Sequence, residues 1–198
     1  ISDSDMRLIN LKVGKEENSK IKVKAWSPDE VYLKELEATP ENQIMDKYFE
    51  LKKEYANQPS FYIDVTDYLL KNGMTDEANQ VLSNISEMKL ESPELLKTYG
   101  YKLLELNKPD KAVEVFKELV KVKGEDPQSY RDLAFAYERT GSYQEALDTY
   151  YIILSRSWDS RFIFVKDVVL KEINRLIAIH TKLNVSKIDK RLIYPMPL

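Results

Sequence analysis

The sole histidine of the chain, His180, is the first candidate for chemistry, because imidazole is the commonest general acid and base in enzymes. Helical spacing places His180 on the same face as Val169, Ile173 and Leu176. Such an apolar face favours a partly buried structural histidine over a catalytic one. The 33 Asp and Glu residues are mostly spread along helix faces with lysines, which is typical of solvated surfaces.

Cofactor and metal chemistry has no support in the sequence. The chain contains no cysteine, which excludes disulfides, thiolate metal sites and a cysteine nucleophile. It also lacks a G-x-G-x-x-G motif, a P-loop and an H-E-x-x-H motif. We therefore predict a non-enzymatic protein with no catalytic residue, no metal site and no cofactor, and an enzyme is the less favoured alternative.

Charge and hydropathy limit the partners. The 30 Lys and Arg residues are balanced by the acidic ones to a net charge of −3, which gives no overall attraction to a polyanion. A local cluster of Lys20, Lys22 and Lys24 is offset by Glu16 and Glu17. No apolar run approaches the length of a membrane span. The sequence thus predicts neither a nucleic-acid partner nor direct membrane insertion.

The stretch TGSYQEAL, residues 140–147, shows how the helices are arranged. Gly141 can adopt a positive φ and end one helix, while Ser142 and Glu145 have the spacing of a capping box that begins the next. A small residue, a proline and a turn residue each recur with a period of 34 residues. These sets are Ala78, Ala112 and Ala146; Pro59, Pro93 and Pro127; and Gly73, Asn107 and Gly141. The period predicts three copies of a two-helix unit.

A 34-residue unit of two helices resembles the tetratricopeptide repeat. The third copy matches that family best through Tyr130, Leu133, Ala134, Tyr137, Ala146 and Tyr150. The second copy matches through Leu96, Tyr99, Gly100, Leu103, Ala112 and Phe116, and the first copy is more divergent. The resemblance implies an all-α, right-handed solenoid of antiparallel helix hairpins, with about three regular repeats and terminal capping helices.

The domain organisation follows from this period and from the segments around it. We predict an extended segment or linker over 1–26, a degenerate helix hairpin over 27–57, repeats over 58–91, 92–125 and 126–157, a capping helix over 158–184, and a linker toward a following domain over 185–198. INLKV and KIKVKAW in the first segment equally fit a β-hairpin. Trp158 stands where proline would normally close the third repeat, so the chain is expected to leave the regular pattern there.

A second resemblance covers about residues 26–198 and rests on stretches such as WSPDEVYLKEL, PQSYRDLAFAYERTG and IDKRLIYPMPL. They are similar to the helical-repeat region of large multidomain bacterial proteins that also carry inter-alpha-trypsin-inhibitor-type and von Willebrand factor A domains. The resemblance implies a fragment of such a protein in a cell-envelope or exported context. It brings no metal-site residue into this chain, and the sequence itself assigns no localisation.

Binding of protein is the function that remains, in one of two forms. The first helices of the repeats could form a groove for a protein or peptide segment, or the repeats could be a spacer that docks adjacent domains of the same chain. The geometry of the family predicts the partner-binding residues Asp67, Lys97, Tyr101, Arg131, Phe135 and Arg139. In the alternative interpretation both rings pack between repeats and the charges are merely solvated.

One ligand class is predicted to be absent. Some members of the repeat family hold the acidic C-terminal tail of chaperones with a clamp of lysines, asparagines and an arginine. The matching positions here are Ile63, Asp67, Thr98, Gln128 and Asp132, none of which is a clamp residue. We expect calorimetry to detect no micromolar binding of such a tail.

Overall fold

The computed structural model of the protein describes residues 30–88, 90 and 92–194, and this part of the chain is all-α. The predicted extended segment over 1–26 and the first three residues of the helix hairpin predicted over 27–57 lie outside the described residues. Nine α-helices follow one another within the described residues. They are α1 (Val31–Glu37), α2 (Ile44–Tyr55), α3 (Pro59–Lys71), α4 (Thr75–Ser83), α5 (Pro93–Glu105), α6 (Pro109–Val122), α7 (Pro127–Thr140), α8 (Tyr143–Ser155) and α9 (Ile163–Ile179).

The predicted helix starts are confirmed at the three prolines. Pro59, Pro93 and Pro127 are the first residues of α3, α5 and α7. Ahead of α5, the Ser92 hydroxyl accepts a hydrogen bond from the Leu95 amide, and ahead of α7 the Asp126 carboxylate accepts one from the Gln128 amide. The amide proton of the first helical residue has no partner within the helix. Proline has no amide proton, so it can begin a helix without losing a hydrogen bond.

The predicted turns between paired helices are also confirmed. Gly73, Asn107 and Gly141 all have positive φ, at 75°, 54° and 80°. Asparagine tolerates this conformation better than most residues, so the second turn keeps its shape without glycine. The 34-residue period therefore reflects a repeated backbone geometry.

The predicted capping box at Ser142 and Glu145 is wrong. The Ser142 side chain makes no capping hydrogen bond to α8, and its hydroxyl instead accepts one from Thr140 at 2.8 Å. The backbone of Ser142, with φ −80° and ψ 64°, also departs from the extended conformation that a capping residue usually adopts. The tight turn after Gly141 thus prevents the cap that the S-x-x-E pattern predicted.

Small residues allow the two helices of each hairpin to approach closely. Ala78, Ala112 and Ala146 have no exposed surface. A Cβ atom built on Gly100 of α5 would lie 2.6 Å from the Phe116 ring of α6, which is too close for any side chain. The backbone of α5 therefore rests directly on that ring.

The N-terminal hairpin packs on the first repeat through aromatic rings. Ile44, Tyr48 and Leu51 form the buried face of α2, as its spacing predicts. The Tyr48 and Phe61 rings stack at 5.9 Å, and Tyr32 of α1 meets the edge of Phe61 at 5.1 Å. This aromatic cluster connects the hairpin to α3.

The C-terminal end has its own apolar core, formed by α7, α8, α9 and the residues after α9. Val169, Ile173 and Leu176 form the buried face of α9. Residues 183–194 run back along α9, where Ile188 is buried and Asn174 bonds to the backbone of both Leu192 and Tyr194. Part of the segment expected to be a linker is therefore packed onto the solenoid.

Candidate partner-binding groove

The side chains of α7 contact two neighbouring helices, α5 and α9. Asp132 points toward α5, where it meets Tyr101, and Arg131 points toward α9, where it pairs with Glu172. Phe135 lies between these directions and is 42% exposed. We call the surface around Phe135 the groove. It carries Asp67 of α3, Tyr101 of α5, and Phe135 and Arg139 of α7, with Glu172 of α9 as its far wall.

A buried carboxylate organises the α5 side of the groove. The side chain of Asp132 is 1% exposed and accepts hydrogen bonds from the Tyr101 hydroxyl at 2.7 Å and from Gln128 Nε2 at 2.6 Å. Lys97 Nζ lies 3.2 Å from the second oxygen, Oδ2, as an ion pair that lacks hydrogen-bond geometry. One buried acid therefore contacts three side chains, those of Tyr101, Gln128 and Lys97.

The Tyr101 hydroxyl stays a hydrogen-bond donor over a wide pH range. Burial, followed by the hydrogen bond and the negative charge of Asp132, raises the pKa of Tyr101. Its ring is also fixed, because it meets the edge of Phe116 at 5.3 Å. Tyr101 is therefore oriented before any partner arrives, with 38% of its surface exposed.

Ion pairs with α9 form the other side of the groove. Arg131 binds Glu172 through two nitrogens, with Nε 3.0 Å from both carboxylate oxygens. Arg175 of α9 reaches back to Glu138 of α7 at 2.5 Å, and Glu138 also accepts a hydrogen bond from the Tyr150 hydroxyl. Burial, and next the charge of Glu138, raises the pKa of Tyr150, so this hydroxyl also remains protonated.

A cavity of 230 Å³ opens between α5, α7 and α9. Its walls include the Tyr101 and Phe135 rings, the Arg131 guanidinium and the Glu172 carboxylate, with Tyr150 among its other lining residues. The two rings are neither largely exposed nor buried. The lining of the cavity thus combines aromatic rings with the charged groups of Arg131 and Glu172.

The structure brings four of the six predicted partner-binding residues together around this cavity and Asp132, namely Lys97, Tyr101, Arg131 and Phe135. Asp67 lies farther along the groove, where its carboxylate pairs with Lys102 of α5. Arg139 is exposed one turn beyond Phe135, and it makes no ion pair with any residue that the structure describes. Their role in binding a partner remains a prediction.

Sequence reasoning missed the residues that hold the groove in shape. Asp132 was considered only as a position that lacks a clamp residue. Its spacing of 31 residues from Tyr101 nevertheless places it between α5 and α7, the first helices of two neighbouring repeats. Nothing in the sequence indicated Glu172 and Glu138. Each pairs with an arginine on the other side of the point where the 34-residue period ends. Only the packed position of α9 reveals these partners.

Other sites for chemistry are not evident in the described part of the chain. Residues 30–88, 90 and 92–194 contain no group of His, Cys, Asp and Glu side chains that could hold a metal ion. The same residues include no helix whose length and apolar character suit a membrane crossing. His180 follows the last residue of α9, outside the groove, and its ring stacks on Tyr143 at 3.6 Å.

Comparison with known proteins adds evidence on the fold. No family model matches the chain, and no curated protein matches it in sequence. Among solved structures, the chain is similar to MamA with a TM-score of 0.51 and 13% identity, over 75% of this chain and 84% of MamA. It is also similar to YrrB, described as a TPR protein with an unusual peptide-binding site, with a TM-score of 0.50 and 15% identity over 74% of this chain and 70% of YrrB.

Identities this low establish the fold alone. The helix order, the repeated turns and the likeness to YrrB agree with the period of 34 residues in the sequence. The described part of the chain is an all-α tetratricopeptide-repeat solenoid.

Proposed function

We propose that the protein is a non-enzymatic scaffold for protein interaction, and that its groove binds a segment of another protein. The observation that carries this proposal is the 230 Å³ cavity between the Tyr101 and Phe135 rings. Aromatic residues and arginine contribute most of the binding energy in protein interfaces. Arg131 borders the same cavity, so these residue types are concentrated at one place.

Contacts within the chain order the side chains around the cavity before a partner binds. Asp132 fixes Tyr101 through its hydroxyl, and Glu172 fixes the guanidinium of Arg131. A binding surface whose side chains are already ordered loses less conformational entropy on association. The description of YrrB as a peptide-binding protein gives a precedent for a peptide ligand on this fold.

The alternative proposal is a spacer that docks adjacent domains of the same chain. The apolar residues at the start of α9 favour it, since Ile163 and Phe164 are 65% and 77% exposed. Exposed apolar side chains that lie together often mark contact surfaces. An enzyme is less favoured, because the sole histidine stacks on Tyr143 away from the cavity.

Selection of peptides tests the groove directly. A display library of random 12-residue peptides would be selected against the 198-residue chain, and the enriched peptides measured against Phe135→Ala. We expect affinity to fall about 30-fold, because removing an aromatic anchor from an interface costs about 2 kcal/mol. Phe49→Ala is the matched control, because Phe49 is 46% exposed on α2, outside the groove.

Two results would contradict the groove proposal. One is a selection that enriches no peptide above a chain with Tyr101 and Phe135 both changed to alanine. The other is a set of peptides that lose affinity equally in Phe49→Ala and Phe135→Ala. Either result would leave the spacer as the better proposal.

A further inference from the structure

The ion pairs of the groove turn their positive partners toward solvent. Arg131 and Glu172 have side chains 35% and 19% exposed, and for Arg175 and Glu138 the values are 44% and 12%. Each carboxylate lies deeper than the guanidinium that covers it. A ligand that approaches α7 and α9 therefore contacts the guanidinium groups before the carboxylates, although each ion pair has no net charge.

The same arrangement holds beside the cavity and beyond it. Lys97 is 44% exposed above the buried Asp132. Arg139 adds a positive charge one turn after Phe135, without a described acidic partner. On α5, by contrast, Glu94 and Glu105 are 56% and 52% exposed. The exposed charge of the groove is thus positive along α7 and α9 and mixed along α5.

From this arrangement we infer that the groove selects an acidic segment of a partner protein, with one bulky apolar side chain seated between Tyr101 and Phe135. Carboxylates of the segment would lie over Arg131, Arg139 and Arg175. The inference rests on the proposed function and adds the chemistry of the partner. Arginine suits this role because its planar guanidinium retains free donors after one carboxylate is bound.

The segment is recognised within its length and not by a terminal carboxylate. The positions that clamp a chain terminus in other repeat proteins include Ile63, Thr98 and Asp132 here, and none of these side chains is a cation. The arginines lie instead on α7 and α9, with Arg131 beside the cavity. An acidic internal segment is therefore compatible with the predicted absence of binding to a chaperone-type tail.

The surface of α9 extends the apolar part of the site. Val168 lies one turn before Glu172 and is 43% exposed, and Phe164 lies one further turn back. These side chains follow the same side of α9 as Arg175. An extended segment that crosses from α5 to α9 would meet an aromatic cavity, then arginines, then a second apolar patch.

The test uses the same peptide library, displayed with both peptide ends blocked, against the wild-type chain and two charge variants. Arg139→Glu reverses the unpaired groove cation, and Lys111→Glu is the matched control because Lys111 is exposed on α6. We expect the enriched peptides to carry a net negative charge and one bulky apolar residue. Their affinity should fall about tenfold in Arg139→Glu, since an exposed attraction becomes a repulsion, and stay unchanged in Lys111→Glu.

The possible outcomes separate this inference from the proposed function. Enriched peptides that need Phe135 but are neutral or basic would overturn the acidic partner and leave groove binding intact. The same holds for acidic peptides whose affinity falls equally in both charge variants. If no peptide is enriched, the groove proposal fails and this inference fails with it.

Discussion

The junction between α6 and α7 and the junction between the last hairpin, α7 and α8, and helix α9 connect neighbouring units of the solenoid by different means. At the first, Phe116 and Leu119 of α6 share one apolar core with Leu133 and Ala136 of α7. At the second, apolar contacts are joined by polar ones that reach across 41 residues, as between Arg131 and Glu172. The regular junction uses only residues of the repeats, whereas the terminal junction pairs residues of the last repeat, such as Arg131, with residues outside it, such as Glu172.

This difference shows how a repeat array ends. Each regular hairpin is covered by the next, so the same apolar positions serve throughout. No further hairpin follows α9 within the described residues, and residues 183–194 cover part of it instead. Trp158 marks the change, because its ring packs on Tyr130 and its indole nitrogen donates to the Ile153 carbonyl.

Deleting residues 161–198 is the most severe test of the comparison. The truncation removes α9 and the segment on it, which uncovers the buried side chains of Tyr150 and Ile153. Solenoids without a terminal cap are prone to aggregation, so we expect loss of soluble monomer in size-exclusion chromatography with light scattering. A soluble monomer with unchanged helicity per residue would show that α9 is an appendage.

The regular packing is tested by enlarging its small residues. Ala112→Leu and Ala146→Leu place a bulky side chain where two helices touch, and such overpacking costs about 1–3 kcal/mol. Chemical denaturation should show this loss in the free energy of unfolding for both variants. Ala178→Leu on the exposed side of α9 is the control, expected within about 0.5 kcal/mol of the parent. Equal stability of all three variants would refute the close helix contact.

The terminal junction is tested at the residue that holds the C-terminal segment. Asn174 is 2% exposed, donates to the Leu192 carbonyl and accepts from the Tyr194 amide, both at 2.8 Å. Asn174→Ala leaves both backbone groups without this partner, at a cost of about 1–3 kcal/mol.

Hydrogen exchange would locate the effect of Asn174→Ala, with faster exchange expected at residues 183–194. The control is Asn72→Ala, which removes only a local hydrogen bond to the Tyr68 carbonyl at an exposed site. If both variants show the same exchange pattern, the C-terminal segment does not depend on Asn174.

The smallest expected effect concerns the ion pair across the groove. A double-mutant cycle with Arg131→Ala and Glu172→Ala should give a coupling free energy of up to about 1 kcal/mol that weakens with added salt. The control cycle uses Lys117 and Glu114, an exposed pair on α6 with an expected coupling of about 0.3 kcal/mol. A coupling no larger than the control would mean that the pair does not secure α9.

Features that repeat were predictable from the sequence, and features that occur once were less so. Gly73, Asn107 and Gly141 could be recognised as turns because they are spaced by 34 residues. A single one of these turns would not have indicated a repeat. The capping box at Ser142 was a local pattern without such support. It failed because the backbone of Ser142 departs from the extended conformation of a capping residue, and its hydroxyl accepts from Thr140 and not from an amide of α8.

The candidate site was likewise predictable only in part. Tyr101 and Phe135 could be assigned to one side of their helices, since helical spacing fixes the side on which a residue lies. Their degree of exposure could not be predicted, because it depends on how closely α5, α7 and α9 pack. The partners Asp132 and Glu172 likewise depend on the packed distance between helices.

By itself the sequence determined the helices, the turns that join them in pairs, and the period with which the pairs stack. These properties follow from local backbone preferences and from apolar spacing, both of which are written in neighbouring residues. The tertiary structure alone decided which charges meet and which of each pair faces solvent. Arg131 and Glu172 lie 41 residues apart, and only the placement of α9 against α7 brings them together with the guanidinium outermost.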